Sequence, residues 1–246
     1  MRKTKIVCTL GPACDDEATL TAMCRAGMNV ARLNFSHGVH EDHLRRIVMI
    51  RKVREKLGLP IAILLDTKGP EYRIKTFRNG KVTLKDGDRF TFTTDDVVGD
   101  DTKVSVNYRE LAHELEPGDT ILLSNGLLSF RVEEVEGADI HCTVLIGGEL
   151  SDRKSMSFPG KVLRQVYLNE QDKSDLAFGI ENGVDYVACS FVSCKQDLLD
   201  VREFMQAHGG SDIDLIAKIE NQSGVDNIEE ICSACDGIMV ARGGMG

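Results

Sequence analysis

The sequence predicts an α/β fold: a partial TIM (β/α)8 barrel, six of eight βα units, carrying an inserted small all-β barrel domain. Three observations lead there. Apolar, β-branched runs alternate with amphipathic helical patterns in the first 70 residues and again after residue 160. Between them, residues 71–160 show only short strand patterns broken by turn dipeptides. The chain has 246 residues, and without the insertion the rest is too short for a complete eight-unit barrel of ~250 residues.

The elements follow in order. KIVCTL (5–10) reads as a strand, and DDEATLTAMCRAG (15–27) as a helix with aspartates at its start and Gly27 as its stop. MNVARLNF (28–35) is a second strand. A long amphipathic helix over 40–58 follows, with Leu44, Ile47, Val48, Ile50 and Val53 as its apolar positions and Gly58 as its stop. PIAILLDT (60–67) is apolar on both faces, as a parallel strand covered by helices on each side must be. In the insertion, Asn79-Gly80, Asp86-Gly87, Asn125-Gly126 and Gly147-Gly148 mark turns, and only NYRELAHEL has a short helical pattern. The α/β rhythm then resumes. A helix at 169–183 has Asn169 three residues before Asp172 in capping-box spacing. Strand 184–191, helix 195–210, strand 213–220, helix 224–235 and strand 236–242 complete the series. The domains expected are therefore 1–70 with 161–246 as the partial barrel and 71–160 as the insertion. The chain ends where a seventh and an eighth unit would be expected.

Composition narrows the class. Thirty Lys plus Arg against 39 Asp plus Glu leave a formal net charge of −9, which argues against a nucleic acid or an anionic membrane surface as the main partner. A few focused arginines still suit a small anionic ligand. No apolar run approaches the ~18 residues of a membrane span, and no signal peptide is read at the N-terminus. Eight cysteines, several inside strand patterns, point to reduced thiols and a cytoplasmic chain. Cys232 and Cys235 have CxxC spacing but no second pair or histidine nearby, so two helix residues one turn apart are a better reading than zinc.

In parallel α/β barrels the functional groups sit at the carboxyl ends of the strands. Those ends carry Arg32, Asn34 and Ser36; then Asp66, Thr67 and Lys68, followed by Arg73; then Ser190 and Phe191; then Lys218 and Glu220; then Arg242 and Gly243. Arg32, Arg73 and Lys218 are expected to converge as cations on one opening, with Asp66 and Glu220 as carboxylates. Such a set suits a phosphoryl or carboxylate substrate held with metal ions. Each polar residue alone is more often a capping or solvated strand-end group, and Glu220 beside Asn221 reads equally as a helix cap. Lys218 is harder to dismiss. Between Ala217 and Ile219 it must point into the interior or under the helices, and a buried lysine is costly unless paired; Glu220 lies on the same face two residues on.

RKTKIVCTLGPA, AGMNVARLNFSHG, LLDTKGPEYR, DLAFGIENGVDYVACSFV, IAKIENQSGVDNIEEI and DGIMVARGGMG resemble, in order and spacing, the successive signatures of pyruvate kinase. The resemblance runs over nearly the whole chain and is weakest within 71–160. It implies a barrel domain interrupted after its third strand by a mobile β-barrel lid. It implies phosphoryl transfer from phosphoenolpyruvate to ADP, giving pyruvate and ATP in glycolysis, with Mg²⁺ and K⁺ as cofactors. By motif, Asn34, Ser36, Asp66 and Thr67 match potassium ligands, Thr67 through its backbone, and Glu220 matches a magnesium carboxylate. Lys218, Arg32 and Arg73 match the groups around the transferring phosphoryl. Ser190, Phe191, Arg242 and Gly243 fall at substrate-binding positions, and Pro12, Asn34, His37, Arg73 and Lys154 at nucleotide-binding ones. The expected partners are phosphoenolpyruvate and ADP or ATP, with a homo-oligomer left open and no nucleic acid or membrane.

Three departures from the family pattern stand out. ARGGMG puts Gly244 where the second magnesium carboxylate is expected. Ser124-Asn125-Gly126 replaces an Asp-Asp-Gly turn, and KSMSFPG stands for the lid's usual return motif. The family's chains also run well beyond this length. Two alternatives therefore stay beside the kinase reading: a catalytically impaired truncated remnant or pseudoenzyme, and a metal-dependent carbon–carbon lyase of the phosphoenolpyruvate/pyruvate type.

Overall fold

The structure is a computed structural model that describes residues 3–124, 126–161, 163–164 and 166–241. In chain order the elements are β1 (Val7–Thr9), α1 (Glu17–Ala26), β2 (Val30–Asn34), α2 (His40–Leu57), β3 (Ala62–Asp66), β4 (Lys81–Leu84), β5 (Arg89–Thr93), β6 (Lys103–Ser105), α3 (Leu111–Glu114), β7 (Thr120–Leu123), β8 (Leu128–Glu136), β9 (Asp139–Ile146), β10 (Gly148–Ser151), β11 (Met156–Ser157), α4 (Glu170–Glu181), β12 (Tyr186–Cys189), α5 (Lys195–Ala207), β13 (Asp214–Ile219), α6 (Gln222–Asp226), α7 (Ile228–Cys232) and β14 (Gly237–Val240). The chain divides into two compact units. One comprises Met1–Pro70, Val166–Ile219 and Asn227–Val240, and the other is mainly Glu71–Gln165 together with Glu220–Asp226.

The first unit is built on a six-stranded, all-parallel sheet in the order β1-β2-β3-β12-β13-β14. Sequential parallel order with a helix in each crossover is the layout of consecutive barrel units, so the partial-barrel expectation holds. Strands such as Ala-Ile-Leu-Leu-Asp in β3 are buried at Ile63, Leu64, Leu65 and Asp66 because helices cover one face while the sheet's own side chains fill the other. Asp16 caps α1 by accepting from the Thr19 N–H at 2.8 Å, and Gly27 and Gly58 end α1 and α2 in the left-handed conformation that glycine adopts at least cost.

Two sequence expectations are corrected here. Leu44 and Val48 are exposed, not part of the buried face of α2. The residues that face the sheet are His43, Arg46, Ile47, Ile50 and Val53. Leu44 and Val48 lie roughly 120° and 160° round the helix from Ile50, outside any single apolar stripe. The helix expected over 224–235 is two short ones, α6 and α7. Asn227 separates them and spends its side-chain amide on the Ser193 carbonyl at 2.8 Å.

The second unit is antiparallel apart from the β5–β6 pair. One sheet has the order β11-β7-β8-β9-β5-β6, and a two-stranded ribbon pairs β10 with β4. Phe90, Phe92 and Phe130 form its aromatic centre with ring centroids 5.1–5.9 Å apart. The turn glycines Gly80, Gly87 and Gly126 have positive φ, as glycine in a tight turn allows. The turn expected at Gly147-Gly148 is not there: Gly148 opens β10 and pairs with Leu84. Asn125 lies outside the described residues.

Candidate active site

The parallel register sets up the site. Arg32 pairs with Leu64 and Asn34 with Asp66 across β2 and β3, and Asp66 lies beside Ala188 of β12. Beyond the ladder, the Phe35 N–H donates to the Asp66 carbonyl and the Thr67 N–H to the Ala188 carbonyl, both at 2.9 Å, so the strand ends remain tied together. Three strands therefore deliver their polar ends to one place.

Asp66 is fully buried and sits at the centre. Its Oδ2 accepts from Arg32 Nε at 2.5 Å and its Oδ1 from Lys218 Nζ at 2.9 Å. The partner that makes burial of Lys218 affordable is thus the carboxylate two strands away. Lys218 Nζ also donates to Ser190 Oγ at 2.6 Å. A serine has one hydroxyl proton, and the short bond to the Thr67 carbonyl at 2.6 Å claims it; Asp66 Oδ1, at 3.2 Å, is the weaker contact. Arg32 keeps a quarter of its side chain exposed, and its Nη1 donates to Thr9 Oγ1 at 2.6 Å. One buried anion therefore holds two cations, and the group as a whole is electropositive. A net positive, water-poor cluster at strand ends is suited to an anionic ligand.

Several residues that sequence reasoning missed support this cluster. The Tyr167 hydroxyl donates to the Ser190 carbonyl at 2.6 Å, and the Ser190 N–H donates to Thr67 Oγ1 at 3.1 Å. Asp172, recognised only as a capping-box partner, accepts the Gly69 N–H at 3.3 Å as well as the Asn169 amide at 2.7 Å. Burial raises its pKa, and the backbone N–H groups of Gly69 and Lys68 offset part of that rise. Gly69 itself is obligatory: its φ is +68°, and a Cβ there would sit 2.6 Å from the Ser190 carbonyl oxygen. Asp172 shares the buried face of α4 with Asp175, Leu176 and Gly179, and no local pattern marks it beyond its capping position.

The other predicted residues are placed as follows. The Asn34 side-chain oxygen accepts the Ser36 N–H at 3.0 Å. The His37 carbonyl accepts from the ring of His43 at 3.0 Å. Pro12 begins a single 3-10 turn after β1. Phe191 has φ +57°, a left-handed backbone that is rare for a bulky side chain and recurs at functional sites. Glu220 follows β13, and the neighbouring Asn221 side chain accepts the Gly224 N–H at 2.8 Å, so the cap expected at that point is made by Asn221. Arg73 belongs to the second unit, where it pairs with Glu71 at 2.6 Å and donates to the Arg153 carbonyl. Lys154 lies exposed in the same unit. Arg242, Gly243 and Gly244 lie outside the described residues. All eight cysteines are free, and among the described residues no group of three or more His, Cys, Asp or Glu side chains could hold a metal ion. No helix among the described residues is long and apolar enough to cross a membrane.

The pyruvate kinase barrel-domain family model matches residues 1–246. The chain is 49% identical over its whole length to a pyruvate kinase of Clostridium perfringens, covering 52% of that protein. It is 47% identical to one of Geobacillus stearothermophilus, covering 42% of it, and 45% identical to one of Clostridium acetobutylicum, covering 52%. The chain thus spans about half the length of the curated relatives it matches. On a match that runs from end to end, with the buried lysine–aspartate–arginine cluster at its strand ends, the chain belongs to the pyruvate kinase family.

Proposed function

We propose that this chain carries the phosphoryl-transfer site of a pyruvate kinase: phosphoenolpyruvate gives up its phosphoryl group to ADP, yielding pyruvate and ATP. The observation that carries the reading is Asp66 holding Lys218 and Arg32 on its two oxygens at the carboxyl ends of parallel strands. Phosphoryl transfer asks a protein for positioning and for positive charge on the equatorial oxygens more than for covalent chemistry. Arg32 and Lys218 supply that charge. Asp66 and Ser190 fix where it points, and the Lys218 ammonium stabilises the negative charge that the leaving enolate acquires.

The donor set fits a monovalent cation. Asn34, Ser36, Asp66 and the Thr67 carbonyl are all oxygen ligands on two adjacent strand ends, the hard set that K⁺ takes. Glu220 would be the side chain that holds Mg²⁺, a hard cation that takes oxygen ligands. Bound cations would supply charge neutralisation on the phosphoryl oxygens. Ser190 and Phe191 are taken as substrate-binding residues, and Arg242 and Gly243 as the loop that holds the substrate carboxylate. Pro12, His37, Arg73 and Lys154 are assigned to the nucleotide, with residues 71–160 as the lid and a cytoplasmic setting for the whole.

Calorimetric titration of phosphoenolpyruvate into the 246-residue chain tests the reading. Binding in K⁺ and Mg²⁺ is expected, with loss in Asp66→Asn and weakening when tetramethylammonium replaces K⁺. An intact, folded chain that does not bind phosphoenolpyruvate would overturn it.

A further inference from the structure

Asn34 ends β2, and the loop from it to α2 carries Ser36 and His37; most of that loop has no regular backbone partner. Its own bonds are local: Ser36 N–H to Asn34 Oδ1 at 3.0 Å and His37 N–H to the Asn34 carbonyl at 3.3 Å. Its far side is tied to α2 by the Asp42 and His43 N–H groups on the Val39 carbonyl, and by one side chain on the buried face of that helix. His43 is 2% exposed, and its ring stacks on Phe35 with centroids 3.9 Å apart and planes at 12°. Its Nε2 reaches the His37 carbonyl at 3.0 Å. A carbonyl only accepts, so Nε2 carries the proton, and Nδ1 is the bare nitrogen; Nδ1 is buried without a hydrogen-bond partner.

An unpaired buried nitrogen costs on the order of a lost hydrogen bond. A hydrophobic residue would avoid that cost and would complete the apolar stripe of Ile47, Ile50 and Val53. The unsatisfied atom therefore marks a histidine held for what its other nitrogen does.

We propose that His43 is a positioning residue for the cation site, its Nε2–H fixing the His37 carbonyl and through it the Asn34–Ser36 segment that offers oxygens to K⁺. This inference rests on the monovalent-cation reading above. His43 touches the loop and not the cation, so its loss changes affinity through geometry alone. Outer residues that orient ligands in this way typically change metal affinity roughly 10–100-fold, and the lower figure is expected for a weakly held cation.

The test uses the 246-residue chain with thallium(I) in place of K⁺, its binding followed by thallium NMR. The unsubstituted chain is expected to bind and Asp66→Asn not to. His43→Phe keeps the stack on Phe35 and removes the donor, so its affinity should fall about tenfold. His43→Gln places an amide N–H where Nε2 stood and should recover most of that loss, which a role in packing alone would not produce. If His43→Phe does not fold, nitrogen NMR of the histidine rings in the unsubstituted chain decides: thallium must move the His43 Nε2 resonance. No thallium binding by the unsubstituted chain would overturn the cation reading and this inference with it. Equal binding by the unsubstituted chain and His43→Phe, or an unmoved His43 resonance on saturation, would overturn this inference alone.

Discussion

Removing Lys218 and removing Asp66 break the same ion pair, but the structure makes their costs unequal. Lys218→Met leaves a buried carboxylate that still has Arg32 on its other oxygen at 2.5 Å. The loss then includes the hydrogen bonds with charged character to Asp66 and to Ser190, offset by packing of the methionine chain. At about 1.5–3 kcal/mol for such a bond, and with that offset, a net cost of about 2–3 kcal/mol is expected. Asp66→Asn instead leaves two cations facing each other without their anion, one of them 7% exposed. Removing one partner of a buried ion pair costs about 3–5 kcal/mol. Urea unfolding of both variants, followed by a probe in the parallel-sheet unit with a shared slope, gives the comparison. Lys218→Met costing as much as Asp66→Asn, or nothing, would refute the claim that Asp66 is the shared anion at the centre.

Other consequences can be checked separately. Burial holds the pKa of His43 below its ordinary value of 6.5, so the unfolded chain takes up a proton there before the folded chain does. Stability therefore falls as pH drops through 6.5 toward the depressed value, and urea midpoints of His43→Gln should show a shallower fall over that window than those of the unsubstituted chain. Gly69→Ala places a Cβ 2.6 Å from the Ser190 carbonyl at φ +68° and should cost about 1–3 kcal/mol and weaken phosphoenolpyruvate binding, read by melting and calorimetry. Gly244→Asp restores a carboxylate where the family pattern has one; the Mg²⁺ concentration that half-saturates phosphoenolpyruvate binding should fall about tenfold, as expected for ~1–3 kcal/mol from one charge-assisted contact.

The sheet was legible because its signals are local. The β3 run is apolar on both faces, and Gly27 and Gly58 close their helices by a conformation that the residue type itself allows. The strand-end polar residues were legible for a topological reason, since parallel strands all deliver their carboxyl ends to one side. Which of them meet was not. Two-residue periodicity offers Lys218 only Glu220, and its bond to Asp66 crosses β12 to a residue 152 positions away in sequence. Tertiary partners of that range leave no mark in a periodicity. Leu44 and Val48 misled because α2 carries more apolar residues than its buried stripe needs, while His43 and Arg46 occupy places within it. The break at Asn227 depends on the Ser193 carbonyl being within reach, which no local pattern contains.

Phosphorus NMR of the chain incubated with phosphoenolpyruvate, ADP, Mg²⁺ and K⁺ tests the central claim most directly. The account predicts that the γ-phosphorus signal of ATP grows as the phosphoenolpyruvate signal is lost, in equal amounts. It also predicts that Lys218→Met slows this by at least about a hundredfold, the order of losing one preorganised charge contact to a transition state. Loss of phosphoenolpyruvate to inorganic phosphate without ATP, carbon–carbon cleavage products, or an unchanged rate in Lys218→Met would contradict it.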